Sequence, residues 1–174
     1  MPIAEMILME LEDEAKRTQR VLERIPEDKL SWRPHPKSFS LGQLGMHIAG
    51  QGNLAEVACK DVHEIPVQLQ QNPPEAKSRQ EVLDTFAKGI ANAKEALAKK
   101  NDAFLAATWT GQVNGQTILS VPRAGFLRMV MLNHIYHHRG QLSVYLRMLN
   151  VAVPSIYGPS ADENPFAATA ATGR

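Results

Sequence analysis

The run from Pro122 to Asn150 constrains this chain more than any other stretch. Pro122 sits where a first-turn proline belongs, and no further proline interrupts the run. Leu127, Met131, His134, His138, Leu142, Tyr145 and Leu149 recur along it at helical spacing. The pattern predicts one long amphipathic helix whose inward stripe needs other helices to cover it. Two histidines fall on that stripe one turn apart, so His134 and His138 can grip a single ion together.

Three other segments supply the neighbours. Residues 2–25 read as a helix in which Met6, Met9, Ala15, Val21, Leu22 and Ile25 alternate with charged residues, and Pro26 ends it. Leu30 to Pro36 carries two prolines and takes an extended path. Ser38 or Ser40 caps a second helix that runs to about Cys59, with Leu41, Leu44, His47, Ile48, Leu54 and Ala58 on or near one stripe. Gly42, Gly45, Gly50 and Gly52 each weaken that helix by about 1 kcal/mol against alanine. Close approach of a neighbouring backbone is one reason to tolerate them. Residues 61–77, with three prolines, read as a long loop. Ser78 and Glu81 form a capping box for a helix through Val82, Phe86, Ile90, Ala93 and Leu97 to about Lys100. Residues 101–116 are irregular, and a short strand pair fits near 109–121, around Trp109. The expected fold class is therefore all-α, a four-helix bundle with long crossover connections. A single domain spans residues 1–163, and 164–174 reads as a flexible C-terminal tail.

Charge and composition exclude several functions. A net charge of +1 supplies no field to grip a phosphate backbone, so no nucleic-acid partner is expected. No apolar run approaches the roughly 18 residues that a membrane span requires, so no membrane partner is expected either. The single cysteine, Cys59, precludes an intramolecular disulfide and fits a reducing compartment. The first residues lack the basic-then-apolar layout of a signal peptide, and a cytoplasmic location follows.

The chemistry resides in the histidines. Neutral imidazole is a borderline-soft donor suited to zinc, nickel, iron or copper. His47, mid-way along its helix, can complete a three-histidine site with His134 and His138 and leave a position open for water or substrate. The alternative is a set of polar residues in a hydrated bundle core. Cost separates the two: three unpaired imidazoles facing an apolar interior each forfeit solvation, whereas one shared ion satisfies them together. His137, about 60° from His134 around the axis, faces outward; His35 and His63 lie in loops, with His63 the reserve ligand. Ile135 stands where a zinc protease has its glutamate base, which argues against that mechanism. Arg139 and Gln141 flank the site as candidates to orient a substrate, or else as a surface ion pair and a helix-face amide. Cys59 reads as a buried small hydrophobe, and Trp32 and Trp109 as pocket lining or plain core.

Three stretches together resemble the DinB family, the DinB/YfiT-like metalloenzymes. They are Leu30-Ser31-Trp32-Arg33-Pro34 leading through Ser40-Leu41-Gly42-Gln43-Leu44 to His47; Asn133-His134 through His138-Arg139-Gly140-Gln141-Leu142; and Val153 to Glu163. The resemblance implies a long-crossover bundle, often a homodimer, with a divalent metal ion on His47, His134 and His138. Zinc or nickel is favoured, with iron or manganese as further choices. It also implies a thiol-dependent transferase using a low-molecular-weight thiol, an isomerase of thiol adducts or a hydrolase. Detoxification or stress response is the corresponding role, acting on an electrophilic small molecule. A non-catalytic, metal-binding dimeric stress-response protein is the alternative.

Overall fold

Four helical rods carry the architecture. The computed structural model describes residues 1–65 and 72–167. The first rod is α1 (Ile3–Leu22). The second is α2 (Leu41–Ala49), continued by a 3-10 stretch over Gly50–Asn53 and then by α3 (Leu54–Ala58). The third is α4 (Arg79–Leu97), followed by the short α5 (Asp102–Ala106). The fourth runs unbroken from α6 (Arg123–Phe126) through a π-helical stretch, Leu127–Leu132, into α7 (Asn133–Met148). The all-α bundle expected from the pattern is present, with a small sheet added to one end.

That sheet has three strands where two were expected. β2 (Thr108–Val113) and β3 (Gln116–Pro122) form the antiparallel pair, and β1 (Val62–Glu64) joins β2 in parallel. The hairpin turns at Asn114 and Gly115, both at positive φ, the Asn-Gly signature of a tight hairpin turn. β1 falls inside the stretch read as a loop. Three residues are too short for an alternation to register, and its partner strand lies 48 residues ahead, as Val62 pairs with Thr110. The strand also places His63 opposite Gly111, with its ring stacked on Trp109. The remainder of the long loop, residues 66–71, and most of the tail expected after residue 163, residues 168–174, lie outside the described residues.

Helix starts follow their caps, with one exchange. Ser40 and Gln43 make the full reciprocal capping box: the Ser40 hydroxyl accepts from the Gln43 N–H, and the Gln43 side chain accepts from the Ser40 N–H. Ser78 accepts from the Glu81 N–H, but the Glu81 carboxylate turns to the Lys77 N–H instead. The expected box at Ser78 is therefore half-formed. Pro122 lies one residue outside the helix it was expected to open, as the last residue of β3.

The core has two apolar clusters, one around Leu11, Ala55, Trp109, Leu127 and Met131, the other around Leu22, Leu44, Ile48, Phe86 and Leu142. The second and third rods approach closely at Gly52. A Cβ there would stand 2.4 Å from the Gly89 carbonyl, so the glycine is a packing requirement. On α1 the inward line is Ala4, Ile7, Leu11, Glu14, Thr18 and Val21, while Met6 and Met9 are exposed. The two polar members of that line answer Arg139, buried on α7. Its guanidinium pairs with Glu14 at 2.7 Å and donates to Thr18 Oγ1 at 3.1 Å and to the Tyr157 hydroxyl at 2.5 Å. The segment after α7 returns along α1, where Arg20 donates to the Ser155 carbonyl and to the Glu163 carboxylate.

Candidate metal centre

The π-helical turn before α7 sets the position of the site. A π turn holds more residues than an α turn and so shifts the helical phase. Past it, the buried line runs through Ile135, Arg139, Leu142 and Leu146, with Tyr145 and Leu149 only half-buried. His134 and His138 are consequently rotated to the border of the apolar stripe, not into its centre, and are half-buried there. His47, also half-buried, reaches them from α2 on the second rod.

The three rings converge through the same atom. His47 Nε2 lies 3.0 Å from His134 Nε2 and 3.1 Å from His138 Nε2. The outer contacts fix which nitrogens carry protons. His138 Nδ1 stands 2.7 Å from Gln141 Oε1, an acceptor, so Nδ1 donates and Nε2 presents its lone pair. At His134 the backbone of Val130 favours the protonated form of the ring, against the burial that lowers it. His47 Nε2 faces both and can supply a proton to only one. A cation shared by all three satisfies the set, and one ion about 2.0–2.1 Å from each nitrogen spans separations of this size. The residues present thus fit a divalent metal, and no carboxylate or cysteine joins them within ligand reach among the described residues.

The electrostatics agree with a neutral, metal-ready site. Burial, followed by the neighbouring His134, pushes His47 down to about 4. Burial likewise pushes His138 down to about 4, against the opposing bond to Gln141. His134 is lowered by burial and by His137. At neutral pH all three imidazoles are therefore unprotonated and available as ligands.

A cavity of about 390 Å³ opens beside the cluster. Its walls include Phe39, Met46, Gln51, Leu54 and Val130 together with His47 and His134. A larger groove, about 960 Å³, lies between the start of α1 and the α4–α5 corner. It holds no histidine and no converging ligand set, so the smaller cavity is the one the chemistry selects.

Other sequence candidates fall elsewhere. Arg139 turns away to Glu14 and Tyr157, which corrects its placement beside a substrate: it is a buried ion-pair member fastening α7 to α1. Gln141 orients the His138 ring through the bond already described. His137 is exposed. His35 is exposed and accepts from the Lys37 N–H, and His63 is held in β1 against Trp109; neither joins the cluster. Cys59 is half-buried, with its thiol 3.6 Å from the Ala96 carbonyl. Trp109 is core, its indole N–H donating to the Val57 carbonyl at 3.0 Å. Trp32 meets Tyr145 edge-on. Two residues escaped the sequence reading. Gln51, one turn past His47, was detectable from its spacing alone. Arg123, buried and bonded to the Ala58 and Thr108 carbonyls and the Asp61 carboxylate, gave no such signal.

Known proteins of this kind share the whole fold. Over 155 residues the chain is 24% identical to the uncharacterized protein YrdA of Bacillus subtilis (strain 168), covering 87% of this chain and 86% of that one. A DinB-like protein from Bacillus cereus ATCC 10987 superposes with a TM-score of 0.68 at 24% identity, covering 88% of this chain and 97% of the other. The DinB-like protein YjoA from Bacillus subtilis gives 0.66 at 21% identity, covering 87% and 96%. A DinB-family member from Exiguobacterium sibiricum gives 0.64 at 18% identity, covering 92% and 96%. The DinB family model itself matches residues 2–167, and with the bundle and the histidine cluster in place, this chain belongs to the DinB family.

Proposed function

We propose that the protein is a metal-dependent enzyme in which His47, His134 and His138 hold a divalent ion that activates a small thiol or water against an electrophilic small molecule. The observation that carries this reading is the convergence of three Nε2 atoms beside a cavity large enough for a small ligand. When bound, such an ion lowers the pKa of a coordinated water or thiol toward neutrality. The chain's own contribution is to keep the imidazoles neutral by burial, to hold His138 through Gln141 and to line the approach with apolar groups. Zinc or nickel suits an all-imidazole donor set, with iron or manganese as further choices. Homodimeric assembly belongs to the same reading and rests on the family alone.

One observation favours a second reading, a metal-binding protein without turnover. The described cavity walls carry no carboxylate, lysine or arginine to serve as general acid or base. The discriminating experiment incubates zinc- or nickel-loaded protein with low-molecular-weight thiols and an electrophile such as a halodinitrobenzene or an epoxide. Thiol conjugation or hydrolysis that depends on the metal and disappears in His138→Ala supports the enzyme. Full metal loading with no turnover across the panel supports the binding protein.

A further inference from the structure

Gln51 is the one residue of the described chain with a buried side-chain polar atom that has no hydrogen-bond partner, its Oε1. The residue is 6% exposed and lies at the wall of the histidine cavity. That oxygen is an acceptor and is not what an anion would answer; the part of the amide that faces the histidine cluster is Nε2. The amide orientation is determined. Nε2 donates one hydrogen to the His47 carbonyl at 2.9 Å, and turning the amide over would set two carbonyl oxygens against each other there. The second hydrogen of Nε2 is directed to the cluster, 3.4 Å from His47 Nε2, which is long for a hydrogen bond. An ion on His47 Nε2 would take that lone pair and leave the second N–H facing the centre of the site.

We infer that the Gln51 amide is an anion-positioning group, donating its free N–H to a negatively charged atom (a thiolate, hydroxide or carboxylate) that takes the open position of the three-histidine site. The inference rests on the metal-dependent reading above and adds a ligand class to it. A neutral amide donor in a half-desolvated cavity favours an anion over a neutral ligand of similar size, because charge-assisted hydrogen bonds are about twice as strong as neutral ones. No other donor of the described cavity wall is a side-chain amide, and none is cationic. The 3-10 stretch over Gly50–Asn53 makes the placement possible, since it ends the regular α2 ladder just after His47 and brings the Gln51 side chain back to the His47 carbonyl.

The test uses the full chain loaded with cobalt(II), whose visible spectrum reports coordination. Two probes are titrated, azide as an anion and imidazole as a neutral ligand, against wild type, Gln51→Met and Gln51→Leu. Both variants should bind cobalt. Gln51→Met should bind azide at least about tenfold more weakly than wild type and imidazole equally well. Gln51→Leu, which also covers a folding failure of the first variant, should weaken azide likewise while keeping imidazole. Azide affinity unchanged in Gln51→Met, or an equal loss for both probes, overturns the inference and leaves the metal site standing. Loss of cobalt from Gln51→Met also overturns it, because the amide would then be supporting the ion itself. Failure of wild type to bind cobalt at all refutes the metal-dependent reading, and the inference falls with it.

Discussion

Acidifying the metal-loaded protein from pH 7 to pH 5 should weaken its hold on the ion far less than three ordinary histidines would. Protons and metal compete for the same Nε2 lone pairs, so the imidazole pKa values set the pH at which binding fails. Burial holds His47 and His138 down at about 4. A group at that value is still roughly nine-tenths neutral at pH 5, so the two together cost less than about fivefold in affinity, even if each lies a unit higher. His134 is shifted in the same direction, by burial first. Histidines at their ordinary value of about 6.5 would be only about 3% neutral at pH 5, and a pair of them would cost several-hundred-fold. Competition against a chromophoric chelator at pH 7, 6 and 5 measures the difference directly. A loss beyond about a hundredfold by pH 5 would refute the argument that burial keeps these rings neutral. The same shifts bear on folding of the metal-free protein, with a fixed sign. The unfolded chain takes up protons below about 6.5 while the folded chain resists them until about 4, so stability is lost as pH falls through that window.

Thermal melting tests the buried pair between α1 and α7. Glu14→Leu leaves the Arg139 guanidinium buried without its carboxylate. The expected cost is about 3–5 kcal/mol, or roughly 6–20 °C in Tm for a chain of this length; Glu14→Leu with Arg139→Met should recover most of it. A single variant that melts within a few degrees of wild type would contradict the assignment. His138→Ala should abolish tight metal binding and His137→Ala should leave it intact, as read by metal content after dialysis, because only the first ring joins the cluster. Gly52→Ala should destabilise the fold by about 1–3 kcal/mol or more, since its Cβ meets the Gly89 backbone at 2.4 Å; denaturant unfolding supplies the comparison.

The long helices were legible because their apolar spacing is local information, and the convergence of His134 with His138 follows from spacing within one helix. The approach of His47 from α2 was a matter of economy, three imidazoles being easier to satisfy together than apart. What escaped the sequence was set by tertiary partners. Arg139 looks like any flanking arginine until Glu14 and Thr18 on α1, themselves anomalous in a buried line, are seen to answer it. Met6 and Met9 look like core by type, but the line through Ala4, Ile7 and Leu11 is the one that faces inward. The π turn at Leu127–Leu132 has no compositional signature, yet it decides that the two histidines border the core and that His134 lines the cavity. β1 was invisible for a different reason, since three residues carry no periodicity and its pairing comes from far along the chain.

Elemental analysis of untagged protein, beside the His47→Ala variant, tests the central claim most directly. About one divalent ion per chain in the wild type, lost in the variant, is the expected result for a three-histidine centre. Absence of metal from both, after incubation with zinc and with nickel, would contradict it and leave a bundle whose converging imidazoles serve some other purpose.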